Sequence, residues 1–309
     1  MSVLARPTAA ALAARALQRL AGMRSGAASV RDRFPEFPRT TRELTIPTTV
    51  APARAVVYLP ESRAVSPPVH VNFHGGGYVM PLTDLDDPLC RCLAARAGVV
   101  VVNVDYVLAP QHPFPAPARQ AYEVVRWVAE HGADLGWDGG RLTVGGQSAG
   151  GALAAAVARQ ALEEGGPQIA LQVLHYPPLD LTTDAREKRS VVDKPMLRPW
   201  MADVFDSAYV PDPRQRADRL VSPAGPADTA DLTGIAPAFV ITAQYDRLRD
   251  EGKRYADRLR KAGALVERYD VPGVDHGYDV RDADTARDVY ALIARYVQEA
   301  TTPEAFRAG

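Results

Sequence analysis

The sequence predicts an α/β fold with an eight-stranded, mostly parallel sheet, helices on both faces and a helical cap. Three observations lead to this prediction. Short apolar segments of strand length alternate with longer segments of helical periodicity. The segment 98–104 is almost continuously apolar, which is typical of a strand buried on both faces. A stretch of 55 residues, 182–236, interrupts the alternation without a strand pattern, as a lid would.

The strands are predicted where apolar, β-branched runs lie between turn residues. The first two form a pair that turns near Pro52. The eight segments are 43–48, 53–59, 68–73, 98–104, 141–145, 169–175, 237–243 and 265–271. Apolar residues at helical spacing predict helices over 86–97, 117–133, 148–163, 250–262 and 284–299. Ligands of such sheets bind beyond the carboxyl ends of the strands, so we expect the chemistry there.

The first residues and the insertion have no place in this alternation. Residues 1–31 contain no acidic residue and five arginines, which is typical of a transit peptide. The interpretation we favour is an amphipathic helix over 8–22. Its apolar face would carry Leu12, Ala16, Leu17 and Leu20. We pair this helix with the apolar stretch 200–209 of the insertion. The chain is then one domain, with a core of about 40–181 and 237–309 and a cap of about 1–39 and 182–236.

Composition excludes several classes of protein. The 309 residues include 36 Lys+Arg and 37 Asp+Glu, a net charge of -1, which argues against a nucleic-acid-binding protein. Hydrophobic residues make up 47% and charged residues 24%, as in ordinary globular proteins. No apolar stretch reaches the 18 residues of a transmembrane span, so we expect no stable membrane insertion.

The cysteines indicate a cellular compartment. Cys90 and Cys92 are too few and too close for a disulfide framework or a zinc site. We therefore expect a reducing compartment, the cytoplasm. We also expect no metal or other cofactor. Only four of the basic residues are lysine, and this bias towards arginine and alanine suggests a GC-rich bacterial gene.

A serine motif lies between a predicted strand and a predicted helix. The motif is Gly146-x-Ser148-x-Gly150, and the strand 141–145 ends at it. A serine on such an elbow has strained backbone angles and needs small neighbours, which is the arrangement of a nucleophile. The alternative is a glycine-rich structural turn with a capping serine.

A glycine loop follows the strand 68–73, in His74-Gly75-Gly76-Gly77-Tyr78. Acyl transfer builds negative charge on a carbonyl oxygen, and backbone N–H groups that approach it closely stabilise that charge. The alternatives are a tight turn and a phosphate loop. No Walker lysine follows, so the phosphate interpretation is poorly supported.

Ser148 needs a base, and among six histidines His276 lies beyond the last strand at the expected edge of the sheet. A histidine base needs a carboxylate that holds its tautomer and stabilises its positive charge. Asp246 follows the strand 237–243, so the order is serine, aspartate, histidine, as in α/β-hydrolases. Asp250 and Asp275 are the alternatives for the carboxylate.

These motifs together resemble the hormone-sensitive lipase family of α/β-hydrolase esterases, over residues 40–300. They are His74-Gly-Gly-Gly-Tyr78, Asp105-Tyr-Val-Leu-Ala-Pro110 with Phe114-Pro-Ala116, Asp138-Gly-Gly-Arg141, Gly146-Gln-Ser-Ala-Gly-Gly151, Asp246-Arg-Leu-Arg-Asp-Glu251 and His276-Gly-Tyr278. The resemblance implies an α/β-hydrolase fold with Ser148 as nucleophile, His276 as base and Asp246 as the residue that orients it. It also implies oxyanion donors at the amides of Gly76, Gly77 and Ala149, a helical cap, and a homodimer through the last strand and helix.

Three positions that are acidic in the family pattern carry glutamine here. Gln147 stands where an acid commonly precedes the serine, and Gln111 and Gln244 replace glutamates. The three acids of these motifs have become neutral amides, which bears on the electrostatics around the site and on its pH profile. Tyr278 stands in place of the usual phenylalanine after His-Gly.

The expected reaction is the two-step hydrolysis of a short- to medium-chain carboxylic ester, a small-molecule substrate. An apolar substrate pocket is predicted from Tyr78, Met80, Leu82, Trp200, Met201, Phe205 and Tyr209. The alternative for the cap residues among them is the cap's own core. An amidase or deacetylase would use the same triad, because leaving-group choice depends on pocket shape. A non-catalytic small-molecule receptor is less favoured, since receptors that resemble this family lack the histidine.

Overall fold

The computed structural model describes residues 2–23, 30, 32–61 and 65–302, with only the backbone described for 22 and 23. All eight predicted strands are present. They are β1 (Thr41–Ile46), β2 (Ala53–Tyr58), β3 (Pro68–Phe73), β4 (Val100–Asp105), β5 (Asp138–Gln147), β6 (Ile169–His175), β7 (Ala238–Ala243) and β8 (Leu265–Val271). The largest difference is in β5, which begins at 138 rather than 141 because the segment also pairs with the start of β3.

The strands form one sheet in the order β1-β2-β4-β3-β5-β6-β7-β8. β2 is antiparallel to β1 and to β4, and the remaining neighbours are parallel. The predicted fold class is therefore confirmed. The parallel strands end at one edge, where β5 delivers Ser148 and the loops after β3, β7 and β8 converge.

Helices connect the strands at the predicted places. They are α1 (Pro7–Met23), α2 (Asp87–Ala97), α3 (Ala116–Glu130), α4 (Gly132–Leu135), α5 (Ala149–Glu164), α6 (Pro199–Tyr209), α7 (Arg249–Lys261) and α8 (Ala283–Ala300). The predicted helix 117–133 is wrong at its end, since α3 stops at Glu130 and the single turn α4 follows. A Cβ on Gly132 would lie 2.6 Å from the amide nitrogen of Gly139, so the chain bends here to approach β5.

Side chains on the two faces of the sheet enter separate apolar cores. In β4, Val102 lies in the core shared with α3, α5 and α7, whereas Val101 lies in the core shared with α2 and α8. This alternation explains the continuous apolar run, because neighbouring residues of a strand point to opposite faces and here both faces are covered.

The cap brings together the two segments that had no place in the sheet. α1 packs against α6, and Ser207 on α6 donates a hydrogen bond to the carbonyl of Ala5 (3.1 Å). The predicted face of α1 is only partly right. Leu12 and Leu20 are exposed, while Ala10 and Ala14 are buried, because small side chains allow the helix to lie close to its neighbours.

The predicted cap boundary near residue 39 is also wrong. Phe34 and Phe37 belong to the core of α2 and α8, and the Phe34 ring meets the Tyr290 ring edge-on at 6.0 Å. Phe34 and Phe37 therefore pack in the core of the sheet and not in the cap. In the described part of the chain, no helix combines the length and apolarity that crossing a bilayer requires.

Candidate active site

Ser148 lies on a sharp turn between β5 and α5. Its φ is 51°, in the left-handed region that side chains rarely adopt. The glycines of the motif make this turn possible. A Cβ on Gly146 would lie 2.3 Å from the Phe73 carbonyl oxygen, and one on Gly150 would lie 1.8 Å from it. The turn therefore packs directly onto the end of β3, and the serine side chain projects above the sheet.

The three residues predicted for the triad come together in one hydrogen-bonded chain. The Ser148 hydroxyl lies 2.9 Å from Nε2 of His276, and Nδ1 of the same ring lies 2.7 Å from Oδ2 of Asp246. Asp246 and His276 are buried, and the amide of Leu248 donates to the other oxygen of Asp246 (3.0 Å). A neutral His276 can thus donate from Nδ1 to Asp246 while Nε2 accepts the serine proton.

The electrostatics of His276 come from burial and from neighbouring carboxylates. Burial lowers the pKa of His276, but the charge and hydrogen bond of Asp246 more than offset it, and Asp275 and Asp279 contribute further. The pKa of His276 is therefore raised above its ordinary value of 6.5. The site stabilises the imidazolium that forms when His276 takes a proton.

The alternative carboxylates lie elsewhere. Asp275 accepts hydrogen bonds from the backbone amides of His276 (2.8 Å) and Met196 (2.6 Å), so it joins the histidine loop to the insertion. Asp250 is exposed in the first turn of α7, where an acid suits the helix dipole.

Other histidines have structural environments. Burial lowers the pKa of His70 to about 3 and, as the main cause, that of His175 to about 4. His70 is hydrogen-bonded to Thr143 (2.8 Å) and His175 to Tyr278 (2.7 Å). The His74 ring stacks on Tyr106 at 4.4 Å. These rings are neutral parts of the packing around the site.

The glycine loop lies over the serine turn. A Cβ on Gly75 would lie 3.6 Å from that of Ser148, and Gly76 and Gly77 have φ of 116° and 60°. Neither the Gly76 nor the Gly77 amide donates to another group in the described chain. Ala149 begins α5, and the first amides of a helix have no partner within it. Three amides are thus available beside the serine.

A cavity of about 320 Å³ opens above Ser148 and His276. Six of the predicted pocket residues line it, namely Tyr78, Met80, Leu82, Trp200, Met201 and Phe205. Tyr209 does not line it. Tyr209 is 1% exposed, and its ring stacks on the Tyr78 ring at 3.7 Å, so it belongs to the main apolar core.

Several lining residues were missed. Leu181, Met196 and Leu197 lie in loops that lack periodicity, so no pattern in the sequence marks them. Tyr176 follows β6 and also lines the cavity. Its hydroxyl donates to Asp279 (2.5 Å) and lies 3.2 Å from Oε1 of Gln147.

The other two glutamines that replace acids of the family pattern also make hydrogen bonds. Gln111 donates to the Gln18 side chain (2.8 Å), and Gln244 accepts from the Gly273 amide (2.7 Å). At these two positions a neutral amide therefore makes a hydrogen bond where the family pattern has a charged carboxylate. Among the described residues, no group of three or more His, Cys, Asp or Glu side chains could hold a metal ion.

Residues 70–280 match the model of a family described as having the alpha/beta hydrolase fold. The chain is 40% identical to the carboxylesterase NlhH of Mycobacterium tuberculosis over 223 residues, which cover 72% of this chain and 70% of the relative. It is 36% identical to the esterase LipI of the same species, covering 82% and 81%. A solved esterase from Pyrobaculum calidifontis superposes with a TM-score of 0.81 at 34% identity, covering 95% of this chain and 94% of that one.

Proposed function

The chain belongs to the α/β-hydrolase fold family as a carboxylic ester hydrolase, and from that premise we propose how it works. It hydrolyses short- to medium-chain carboxylic esters through an acyl-enzyme formed on Ser148. The observation that carries this proposal is the hydrogen-bonded chain from Ser148 through His276 to Asp246, which opens into the cavity.

In the first step, the Ser148 oxygen attacks the ester carbonyl while Nε2 of His276 takes the serine proton. The carbonyl oxygen becomes an oxyanion, which accepts hydrogen bonds from the amides of Gly76, Gly77 and Ala149. The C–O bond then breaks, and His276 returns the proton to the departing alcohol.

In the second step, water attacks the acyl group and gives a proton to His276. A second oxyanion forms and collapses, the carboxylic acid leaves, and Ser148 recovers its proton. Asp246 holds the imidazole in place and stabilises its positive charge in both steps. Its burial makes that interaction strong, because the surroundings screen it weakly.

The cavity supports the preference for short to medium chains. Its volume of about 320 Å³ lies near the lower end of small-molecule sites. Phe205 of the cap closes directly over the glycine loop, since a Cβ on Gly77 would lie 2.4 Å from the Phe205 ring. This contact limits the room for a long acyl chain beside the oxyanion site.

The experiment is hydrolysis of p-nitrophenyl esters with acyl chains of two to sixteen carbons, beside the matching anilides, with Ser148→Ala as control. We expect ester hydrolysis that falls with the longer chains and is lost in the variant. Faster cleavage of the anilides would indicate an amidase or deacetylase. No hydrolysis of either series, with Ser148 inert to a fluorophosphonate, would indicate a binding role.

We also infer where the protein acts and with what. Cys90 and Cys92 are free and buried, which supports a reducing compartment such as the cytoplasm. The partner is a small ester, and no nucleic acid or cofactor takes part in the proposed reaction.

A further inference from the structure

Among the residues that line the cavity, five carry an Asp, Lys or Arg side chain, namely Asp86, Arg198, Arg247 and the two considered below, Asp206 and Lys188. Asp206 lies on α6, directly after Phe205, and Lys188 lies in the loop that precedes this helix. Both line the same cavity as Ser148 and His276. Charged groups are rare in such walls, and those present usually orient the ligand. Neither takes part in the reaction proposed above.

The ammonium group of Lys188 has a fixed position, and only two of its three N–H donors are used. Its side chain is 9% exposed, and Nζ lies 2.7 Å from Oε2 of Glu251 and 2.7 Å from the carbonyl oxygen of Asp180. An ammonium group has three donors. Glu251 and Asp180 therefore fix the position of Nζ and use two of them, which leaves one for a group in the cavity.

Asp206 lacks the partner that a carboxylate in this position needs. No group in the described chain donates a hydrogen bond to its side chain, and Lys188 makes its ion pair with Glu251 instead. Burial raises the pKa of Asp206 to about 6, and the charges of Lys188 and Arg216 only partly oppose the rise. The residue is only partly buried, so its carboxylate loses part of its hydration without gaining a hydrogen bond, a cost that stability does not explain.

Asp203, one turn earlier on α6, has the hydrogen-bond partner that Asp206 lacks. Its two oxygens accept hydrogen bonds from the guanidinium of Arg186, at 3.1 and 2.5 Å, and it does not line the cavity. The two aspartates on this helix thus have different surroundings, since Asp203 is paired with Arg186 away from the cavity and Asp206 lines the cavity without a partner.

We propose that Asp206 and Lys188 form a subsite that binds a hydroxyl group of the substrate, remote from the ester. The inference rests on the proposed function. The hydroxyl donates its proton to the Asp206 carboxylate and accepts from the free donor of Lys188. A cationic group would face Lys188, Arg198 and Arg247, and an anionic group would face Asp206 and Asp86, all of which line the cavity. A neutral group that both donates and accepts suits this pair best.

The test compares esters that carry a terminal hydroxyl with alkyl esters of the same number of heavy atoms. One panel places the hydroxyl at the end of the acyl chain, and a second places it at the end of the alcohol chain, each over several lengths. The readout is the ratio of kcat/KM for the hydroxyl ester to that for its alkyl match. This ratio is internal to each variant, so the fraction of folded enzyme does not affect it.

For the wild type we expect at least one length at which the hydroxyl ester is preferred. Asp206→Leu should lower that ratio at least about tenfold, the effect of one hydrogen bond to a charged group. Asp203→Leu is the matched control and should leave the ratio unchanged. Matched esters that end in an ammonium or a carboxylate should be poorer substrates than the hydroxyl ester.

Alkyl ester hydrolysis without a hydroxyl preference at any length would overturn the subsite and leave the proposed function standing. An unchanged ratio in Asp206→Leu would also overturn it. A preference for the ammonium ester would reassign Asp206 to binding a cation, against the role given to Lys188. Hydrolysis of no ester at all would overturn the proposed function and the subsite with it.

Discussion

Single residues around the serine turn are constrained by close contacts. Gly77 and Gly98 have nearly the same left-handed backbone, with φ of 60° and 66°. A Cβ on Gly98 would meet nothing within 4 Å, whereas one on Gly77 would lie 2.4 Å from the Phe205 ring. A Cβ at Gly98 would therefore cause backbone strain alone, whereas a Cβ at Gly77 would cause the same strain and also a clash with Phe205. Comparing alanine at the two positions distinguishes the effect of strain from the effect of a displaced glycine loop.

We predict that Gly77→Ala lowers kcat/KM by about 10²–10³, the effect of losing one oxyanion donor, because the loop must move away from Phe205. Gly98→Ala should cost about 1–2 kcal/mol of unfolding free energy through strain and leave kcat/KM unchanged. Ester hydrolysis and urea unfolding of both variants measure these effects. Equal activity in the two variants would contradict the role of the glycine loop.

The raised pKa of His276 predicts the acid side of the pH profile. Protonated His276 cannot take the serine proton, so kcat/KM falls as the pH drops through the pKa of the free enzyme. Because that pKa is raised, the midpoint should lie above pH 6.5. In Asp246→Asn, whose residual activity should be far lower, the midpoint should move to lower pH. A wild-type midpoint at or below 6.5 would contradict this account.

At this scale the structure brings together the three residues that the sequence singled out as a triad, and their roles remain predictions. Ser148, Asp246 and His276 each follow a strand at the same edge of the sheet, so their convergence could be expected. Tyr209 was misplaced, because a sequence cannot show which way an aromatic ring on the cap turns. The environment of Asp206 was not predicted either, since it depends on how the irregular loop that carries Lys188 folds around the cavity.

At the scale of the elements, one side chain ties the cap helix α1 to the active-site loop. Nε2 of Gln18 donates to the carbonyl oxygens of Val79 (2.9 Å) and Ala109 (3.0 Å). Leu17, the preceding residue, lines the cavity. The docking of α1 and the shape of the cavity are therefore coupled.

We predict that Gln18→Ala lowers the unfolding free energy by about 1 kcal/mol and raises KM, since two carbonyl oxygens lose a donor and Leu17 is less firmly held. Gln298→Ala is the matched control, because Gln298 is exposed on α8. Urea unfolding and ester kinetics measure both effects. Gln18→Ala with the stability and KM of the control would show that the cap is held by other contacts.

The elements of the sheet were predicted more accurately than those of the cap. Strands buried on both faces produce continuous apolar runs that turn residues delimit. α1 packs instead through Ala10 and Ala14, and small residues give little apolar signal. For this reason the sequence favoured Leu12 and Leu20, which are exposed.

At the scale of the whole molecule, the alternation of strands and helices predicted the fold class, but it did not predict the strand order. β4 lies between β2 and β3, and such an order depends on pairing between distant segments. The order also leaves β8 at one edge of the sheet, with Val266 and Tyr269 exposed. An exposed edge strand can pair with a second chain.

We therefore predict a homodimer through β8. Light scattering should give about twice the chain mass of 33.3 kDa. Val266→Lys should yield a monomer because a charge would be placed in the interface. Val191→Lys, which changes an exposed valine of the insertion, should remain a dimer. A monomeric wild type, or a dimer that persists in Val266→Lys, would contradict an interface at this strand.

The central claim is that Ser148 is the nucleophile of an ester hydrolase. The most direct test is reaction with a fluorophosphonate, with the adduct located by peptide mass spectrometry and the remaining ester hydrolysis measured in parallel. The account predicts one adduct per chain, on Ser148, with hydrolysis lost in proportion to labelling and no adduct in Ser148→Ala. An adduct on another residue, or a Ser148→Ala variant that still hydrolyses esters, would contradict it.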